Sequence, residues 1–237
     1  MASDNTIVLI PGLNCTERLY ESQIGALSDD FTVVVADQRH DDTVAGMARR
    51  LLADAPERFG LVGLSMGGYV ALEVLRQAPG RVARLALLDT SARPDTAEGA
   101  ANRLRLIELA ETGRFEEVHD ILWPRLVHPD RQADRVLEEV VKAMMRETGP
   151  EAFIRQQRAI MARPDSRDLL PSVEIPTLVL VGEQDVITPP DMAREMADRI
   201  EWASLVVLAD CGHLSTLEQP DAVNHALRAW VAAERRG

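Results

Sequence analysis

The chain has 237 residues, 46% hydrophobic and 27% charged, enough for one large α/β domain with a sizeable aliphatic core. A net charge of -12 repels phosphate backbones and argues against a nucleic-acid partner. The two cysteines, Cys15 and Cys211, supply neither a metal cluster nor a disulfide framework.

The start of the chain, MASDNTIVLIPG, lacks the basic region and the apolar length of a signal peptide. No apolar run approaches the roughly 18 residues of a membrane span. A cytoplasmic protein with no membrane partner is therefore expected. In chain order, strands are predicted at Thr6–Ile10, Thr32–Ala36, Gly60–Leu64, Leu85–Leu88, Thr177–Val181 and Leu205–Ala209. All are rich in Val, Leu or Ile with little alternation, as in strands buried on both faces. Between them, helices are predicted at Thr16–Ser28, Thr43–Ala55, Met66–Ala78, Pro190–Ile200 and Pro220–Ala233. The last carries Val223, Ala226, Leu227, Trp230 and Val231 on one helical face, suited to packing on a sheet. Strand–helix alternation of this kind builds a parallel sheet.

From about Pro94 to Pro171 the alternation stops. Amphipathic stretches at Asn102–Glu111, Phe115–Leu122, Val136–Met145 and Ala152–Met161 are punctuated by Gly113, Pro129, Gly149 and Pro164. A helical cap is expected here, inserted between the fourth and fifth strands. The core would then comprise residues 1–93 and 172–237, and the cap residues 94–171. Such a cap would lie over the carboxyl ends of the strands, where open α/β sheets bind ligands.

Gly63-Leu64-Ser65-Met66-Gly67 follows an apolar strand and opens a helix. G-x-S-x-G in that context is a nucleophile elbow: a tight turn strains the serine, and glycines two residues to either side avoid Cβ clashes. The helix N-terminus then offers free N–H groups and its dipole to developing negative charge. The bland alternative is a Gly-rich turn in which Ser65 caps a helix. A serine hydroxyl needs a base. Among five histidines only His213 lies in a loop after a core strand, in Asp210-Cys211-Gly212-His213. Asp185 and Asp89 both sit just past strands and are candidates for the acid.

GLSMGGYVAL resembles the elbow of the α/β-hydrolase superfamily, especially its small esterase and 3-oxoadipate enol-lactonase branch. GHLSTLEQP is similar to that family's histidine loop, and GEQDVITPP to its acid loop. The resemblance covers nearly the whole chain outside the cap. It implies Asp185 rather than Asp89 as the acid, with Asp89 the runner-up. It also implies oxyanion donors at the N–H groups of Leu13, after the first strand, and Met66, after the nucleophile. Where the family usually has His-Gly this chain has Pro11-Gly12, which keeps the backbone donors but loses a side chain that steadies the loop. Few residues precede Thr6, too few for the hairpin that normally opens the fold, so a minimal sheet of about six parallel strands flanked by helices is expected, in the family order 2-1-3-4-5-6.

The resemblance points to a serine hydrolase that cleaves a carboxylic ester or lactone of a small molecule through an acyl-enzyme, with no metal or organic cofactor required. A thioesterase, carbon–carbon bond hydrolase, perhydrolase or acyltransferase would use the same residues, and a non-catalytic receptor on this fold could retain them. Haloalkane dehalogenases and epoxide hydrolases attack with an aspartate, whereas this elbow carries Ser65. Asn14, His119, Trp123 and His128 are candidate substrate-binding residues, and Arg155 and Arg158 could meet a substrate carboxylate. The segment Asp37–Asp41 runs almost straight into a helix, so the pocket is expected to be open near Arg39.

Overall fold

A computed structural model describes residues 5–233. Six strands form one sheet: β1 (Thr6–Ile10), β2 (Thr32–Val35), β3 (Phe59–Leu64), β4 (Val82–Leu88), β5 (Thr177–Gly182) and β6 (Ala203–Leu208). Every neighbouring pair is parallel, in the order β2-β1-β3-β4-β5-β6. The expected fold class and strand order are therefore both observed.

Alternate residues of the central strands feed two apolar layers. Val8, Ile10, Leu61, Leu85, Leu87, Val179 and Val181 face one; Ile7, Leu9, Val62, Leu64, Leu88, Leu178 and Leu180 face the other. The period of two distributes an unbroken apolar run to both faces. The first layer is covered by α2 (Val44–Asp54), α3 (Met66–Gln77) and α7 (Pro190–Arg199), through Met47, Val70, Val74 and Met196. The second is covered by α1 (Glu21–Leu27) and α9 (Pro220–Ala232), through Leu27, Val223, Leu227 and Trp230.

Two expectations about these elements need correction. Strands β2 and β6 are edges rather than doubly buried strands, and Val34, Leu205 and Val207 are exposed there. The helix expected at Thr16–Ser28 begins as a 3-10 turn, Glu17–Tyr20, before α1. Between β4 and β5 lie α4 (Ala97–Glu111), α5 (Phe115–Leu126) and α6 (Arg135–Met161). Helix α6 breaks at Gly149, whose φ of 75° and ψ of 161° are not helical; Pro150 follows, where it can open the second segment without forfeiting a helical hydrogen bond. A one-turn helix, α8 (Ser215–Glu218), precedes α9. Among the described residues no helix is long and apolar enough to cross a membrane.

Candidate active site

The sheet delivers three loops to one place. Ser65 stands between β3 and α3 at φ 54°, ψ -116°, a region that costs a non-glycine residue about 1–3 kcal/mol. The surroundings hold it there. Its N–H donates to Leu88 O (3.0 Å), and its carbonyl accepts from the Gly68 N–H (2.9 Å) and the Thr90 hydroxyl (2.7 Å). A Cβ at Gly63 would come within 2.3 Å of Gly67 O, and one at Gly67 within 2.0 Å of Ile10 O. The turn closes only if both are glycine.

His213 arrives after β6. Its Nε2 lies 2.9 Å from Ser65 Oγ, and its Nδ1 lies 2.8 Å from Asp185 Oδ2. With Nδ1–H donating to the carboxylate, Nε2 is left to accept the serine proton. Asp185, after β5, also accepts from the Ile187 N–H (2.8 Å), the Thr188 N–H (3.0 Å) and the Thr188 hydroxyl (2.7 Å). Burial works against its charge, but His213 and these donors outweigh that and hold the carboxyl below the usual aspartate range. Burial likewise opposes a charged His213, yet Asp185, with Asp89 and Glu218 behind it, raises its pKa above the ordinary 6.5.

Asp89, the other acid candidate, does not touch His213. It ends β4 in a left-handed turn (φ 44°) and is wholly buried. It accepts from the Gly182 N–H (3.0 Å) and hydrogen-bonds Ser215 Oγ, so it ties the acid loop to the histidine loop from behind. Burial first, then the neighbouring Asp185, pushes its pKa up to about 8.

After β1, Gly12 to Cys15 form a turn, with the Cys15 N–H donating to Gly12 O (3.2 Å) and Asn14 at φ 61°. Among the described residues the Leu13 N–H has no hydrogen-bond partner, and Met66 opens α3, where an N–H has no intrahelical acceptor. In place of the missing histidine side chain, Gln156 of α6 steadies this loop: its Oε1 accepts from the Asn14 N–H (2.9 Å) and its Nε2 donates to Gln38 O (3.2 Å). Arg155 donates to Arg39 O (2.9 Å) alongside. The expected opening near Arg39 is thus filled by α6, a correction that follows from the wholly buried Gln156.

A cavity of about 440 Å³ contains Ser65 and His213, within the size range of small-molecule sites. Gly12, Leu13 and Asn14 form its floor with Tyr69; Leu106, His119, Leu122, Leu126, Val141 and Met145 come from the helical insertion. Of the residues expected to bind substrate, Asn14 and His119 line it, but Trp123 and His128 do not. Trp123, one turn beyond His119, stacks on that ring (5.7 Å between centroids) and donates its indole N–H to Gln132 O. His128 accepts from the Asp130 N–H through Nδ1. Arg155 and Arg158 also stay outside; Arg158 lies 3.5 Å from Glu111 on the surface. A wider surface recess of about 670 Å³, between Thr16, Gln38 and Glu147, does not reach Ser65. Its arginines are already engaged, Arg18 with Glu147 and Arg39 with Asp37.

Sequence reasoning missed Tyr69, Met145, Gln156 and Glu218. The GHLSTLEQP segment held Glu218 in plain view, but its spacing alone gave no reason to turn a carboxylate inward.

Residues 7–226 match the alpha/beta hydrolase family, and the chain belongs to it. It is 32% identical to a thermophilic esterase from Thermogutta terrifontis, covering 95% of this chain and 89% of that one with a TM-score of 0.85. An enol-lactonase from Burkholderia xenovorans is 27% identical, with coverage of 96% and 91% and a TM-score of 0.88. A pimeloyl-[acyl-carrier protein] methyl ester esterase from Neisseria meningitidis is 27% identical over 95% of this chain and 92% of its own length. With these relatives, the chain is a hydrolase acting on ester bonds.

Proposed function

We propose that the protein is a serine hydrolase that cleaves a carboxylic ester or lactone of a small molecule through an acyl-enzyme intermediate. Ser65 is the nucleophile, His213 the general base and Asp185 its orienting acid. The observation that carries this is the line of hydrogen bonds from Ser65 Oγ to His213 Nε2 (2.9 Å) and from His213 Nδ1 to Asp185 Oδ2 (2.8 Å).

As the hydroxyl attacks the carbonyl, His213 takes its proton and the ionised Asp185 stabilises the imidazolium. The N–H groups of Leu13 and Met66 bind the oxyanion, each such donor typically contributing about 3 kcal/mol to lowering the barrier. His213 then returns the proton to the leaving alkoxide, and next activates the water that releases the acid. Asn14 and His119 face the substrate, and the helices between β4 and β5 act as a cap. The relatives' esterase and lactonase activities support the bond type. The substrate is a small molecule rather than a nucleic acid, in keeping with the chain's net charge of -12, and the protein works in the cytoplasm.

A panel of p-nitrophenyl esters, lactones and thioesters tests this, with Ser65→Ala as the blank. Multiple turnovers on esters or lactones are expected, falling by roughly five to six powers of ten in the variant. Turnover that survives Ser65→Ala would remove the nucleophile. Stoichiometric binding without turnover would indicate a receptor.

A further inference from the structure

The loop that carries His213 is bound as much to the cap as to the core. The His213 and Leu214 N–H groups both donate to Leu126 O, at 3.0 and 3.1 Å, at the end of α5. Glu218, only 5% exposed, completes the junction. Its Oε1 accepts from the N–H groups on either side of the base, Gly212 (3.0 Å) and Leu214 (3.3 Å), while its Oε2 accepts from the His128 N–H in the cap (2.7 Å). Arg131 Nη1 donates to the Glu218 carbonyl at 2.9 Å. The contact is tight: a Cβ on Gly212 would lie 2.5 Å from His128 N. One carboxylate therefore spans the catalytic loop and the cap.

We propose that Glu218 is a positioning residue that fixes the base to the cap, so that His213 is aligned with Ser65 only while the Leu126–Arg131 segment is seated. This rests on the ester-hydrolysis reading above. Burial raises the Glu218 pKa, and the three N–H donors with Arg131 oppose that shift, as expected of a carboxylate whose acceptor capacity is used by its surroundings. The consequence is a gate on chemistry rather than on binding: a ligand that props this segment away from the core still reaches the cavity but meets a displaced imidazole.

Two substitutions cut the clamp from opposite sides. Glu218→Gln keeps one acceptor oxygen and so gives up either the cap bond or the loop bonds. His128→Pro deletes the cap's N–H together with the imidazole, and sets a ring carbon where that proton met Glu218; residue 128 already has φ -53° and Val127 is extended (φ -128°, ψ 160°), so the backbone dihedrals suit proline. His128→Ala retains the N–H and isolates the effect of the ring. For Glu218→Gln and His128→Pro, kcat on a p-nitrophenyl ester should fall roughly ten- to a hundredfold with KM within about twofold, the signature of a displaced catalytic group. His128→Ala should exceed His128→Pro in kcat by roughly tenfold. The far-downfield proton resonance of His213 Nδ1–H should weaken in both clamp variants, measured below their melting midpoints. Unchanged kcat in either variant, a rise confined to KM, or an unaltered resonance would overturn the clamp. Turnover that persists in Ser65→Ala would instead overturn the ester-hydrolysis reading itself.

Discussion

At the scale of single residues, the site is a problem of placing buried carboxylates. Asp185, Asp89 and Glu218 all lie behind one imidazole, and their partners divide their roles. Asp185 meets the ring and gains three further donors, so its charge is held. Because the His213 pKa is raised above 6.5, kcat/KM should fall on the acid side through a pKa above that value. Asp185→Asn should cost roughly a thousandfold or more in kcat, read from ester hydrolysis. For Asp89 the sign runs the other way from a usual salt-bridged aspartate. Its folded pKa is about 8, against the ordinary value of 3.8. Between those values the folded state keeps a proton that the unfolded chain has released, so this stabilising contribution is lost as pH rises through the window. Asp89→Asn should flatten the dependence of unfolding free energy on pH between 4 and 8, measured by urea melts; an unchanged slope would mean that Asp89 is ionised in the fold.

At the scale of elements, the backbone's close approaches set the constraints. Helix α3 begins under strain because β1, β3 and β4 converge on its first turn. Gly67→Ala would drive a Cβ to 2.0 Å from Ile10 O, and backbone cannot rotate away as a side chain can. A loss of at least about 1–3 kcal/mol in denaturant melts is expected, with activity falling alongside. Each central strand and core helix was legible to within a few residues, because an apolar run of strand length followed by turn residues has few other readings. The edges were not. β2 and β6 have the same composition as the inner strands, and nothing in their residues says that no strand lies beyond them. The break inside α6, by contrast, was legible: Val136–Met145 and Ala152–Met161 read as separate stretches with Gly149 between them, and Gly149 is where the backbone leaves the helix.

At the scale of the whole molecule, the helical insertion is fastened on both sides of the pocket. Glu218, Leu126 and Arg131 tie it to the histidine loop, and Gln156 ties it to the turns after β1 and β2. Gln156→Leu keeps the volume and removes both polar bonds. It strands the Asn14 N–H and Gln38 carbonyl, and should cost about 1–3 kcal/mol in stability. KM for esters should also rise as the oxyanion turn loosens, which steady-state kinetics would show. A stability and KM equal to the parent's would mean that packing alone holds that side.

The elbow, the histidine loop and the positions of the central strands along the chain were determined by local sequence, because each depends on short-range features: glycines where a Cβ cannot fit, and apolar runs of strand length. The spatial order of the strands was implied only by the family resemblance. The resemblance of GEQDVITPP to the family's acid loop favoured Asp185 over Asp89, but both follow a strand, and seeing which one reaches His213 required the fold. The pocket lining required it too. His119 and Trp123 share a helix and an amphipathic pattern, yet His119 lines the cavity that holds Ser65 while Trp123 stays outside it with its indole N–H on Gln132 O. Which face of a helix meets a cavity is decided by what packs around it, and that is long-range in the chain.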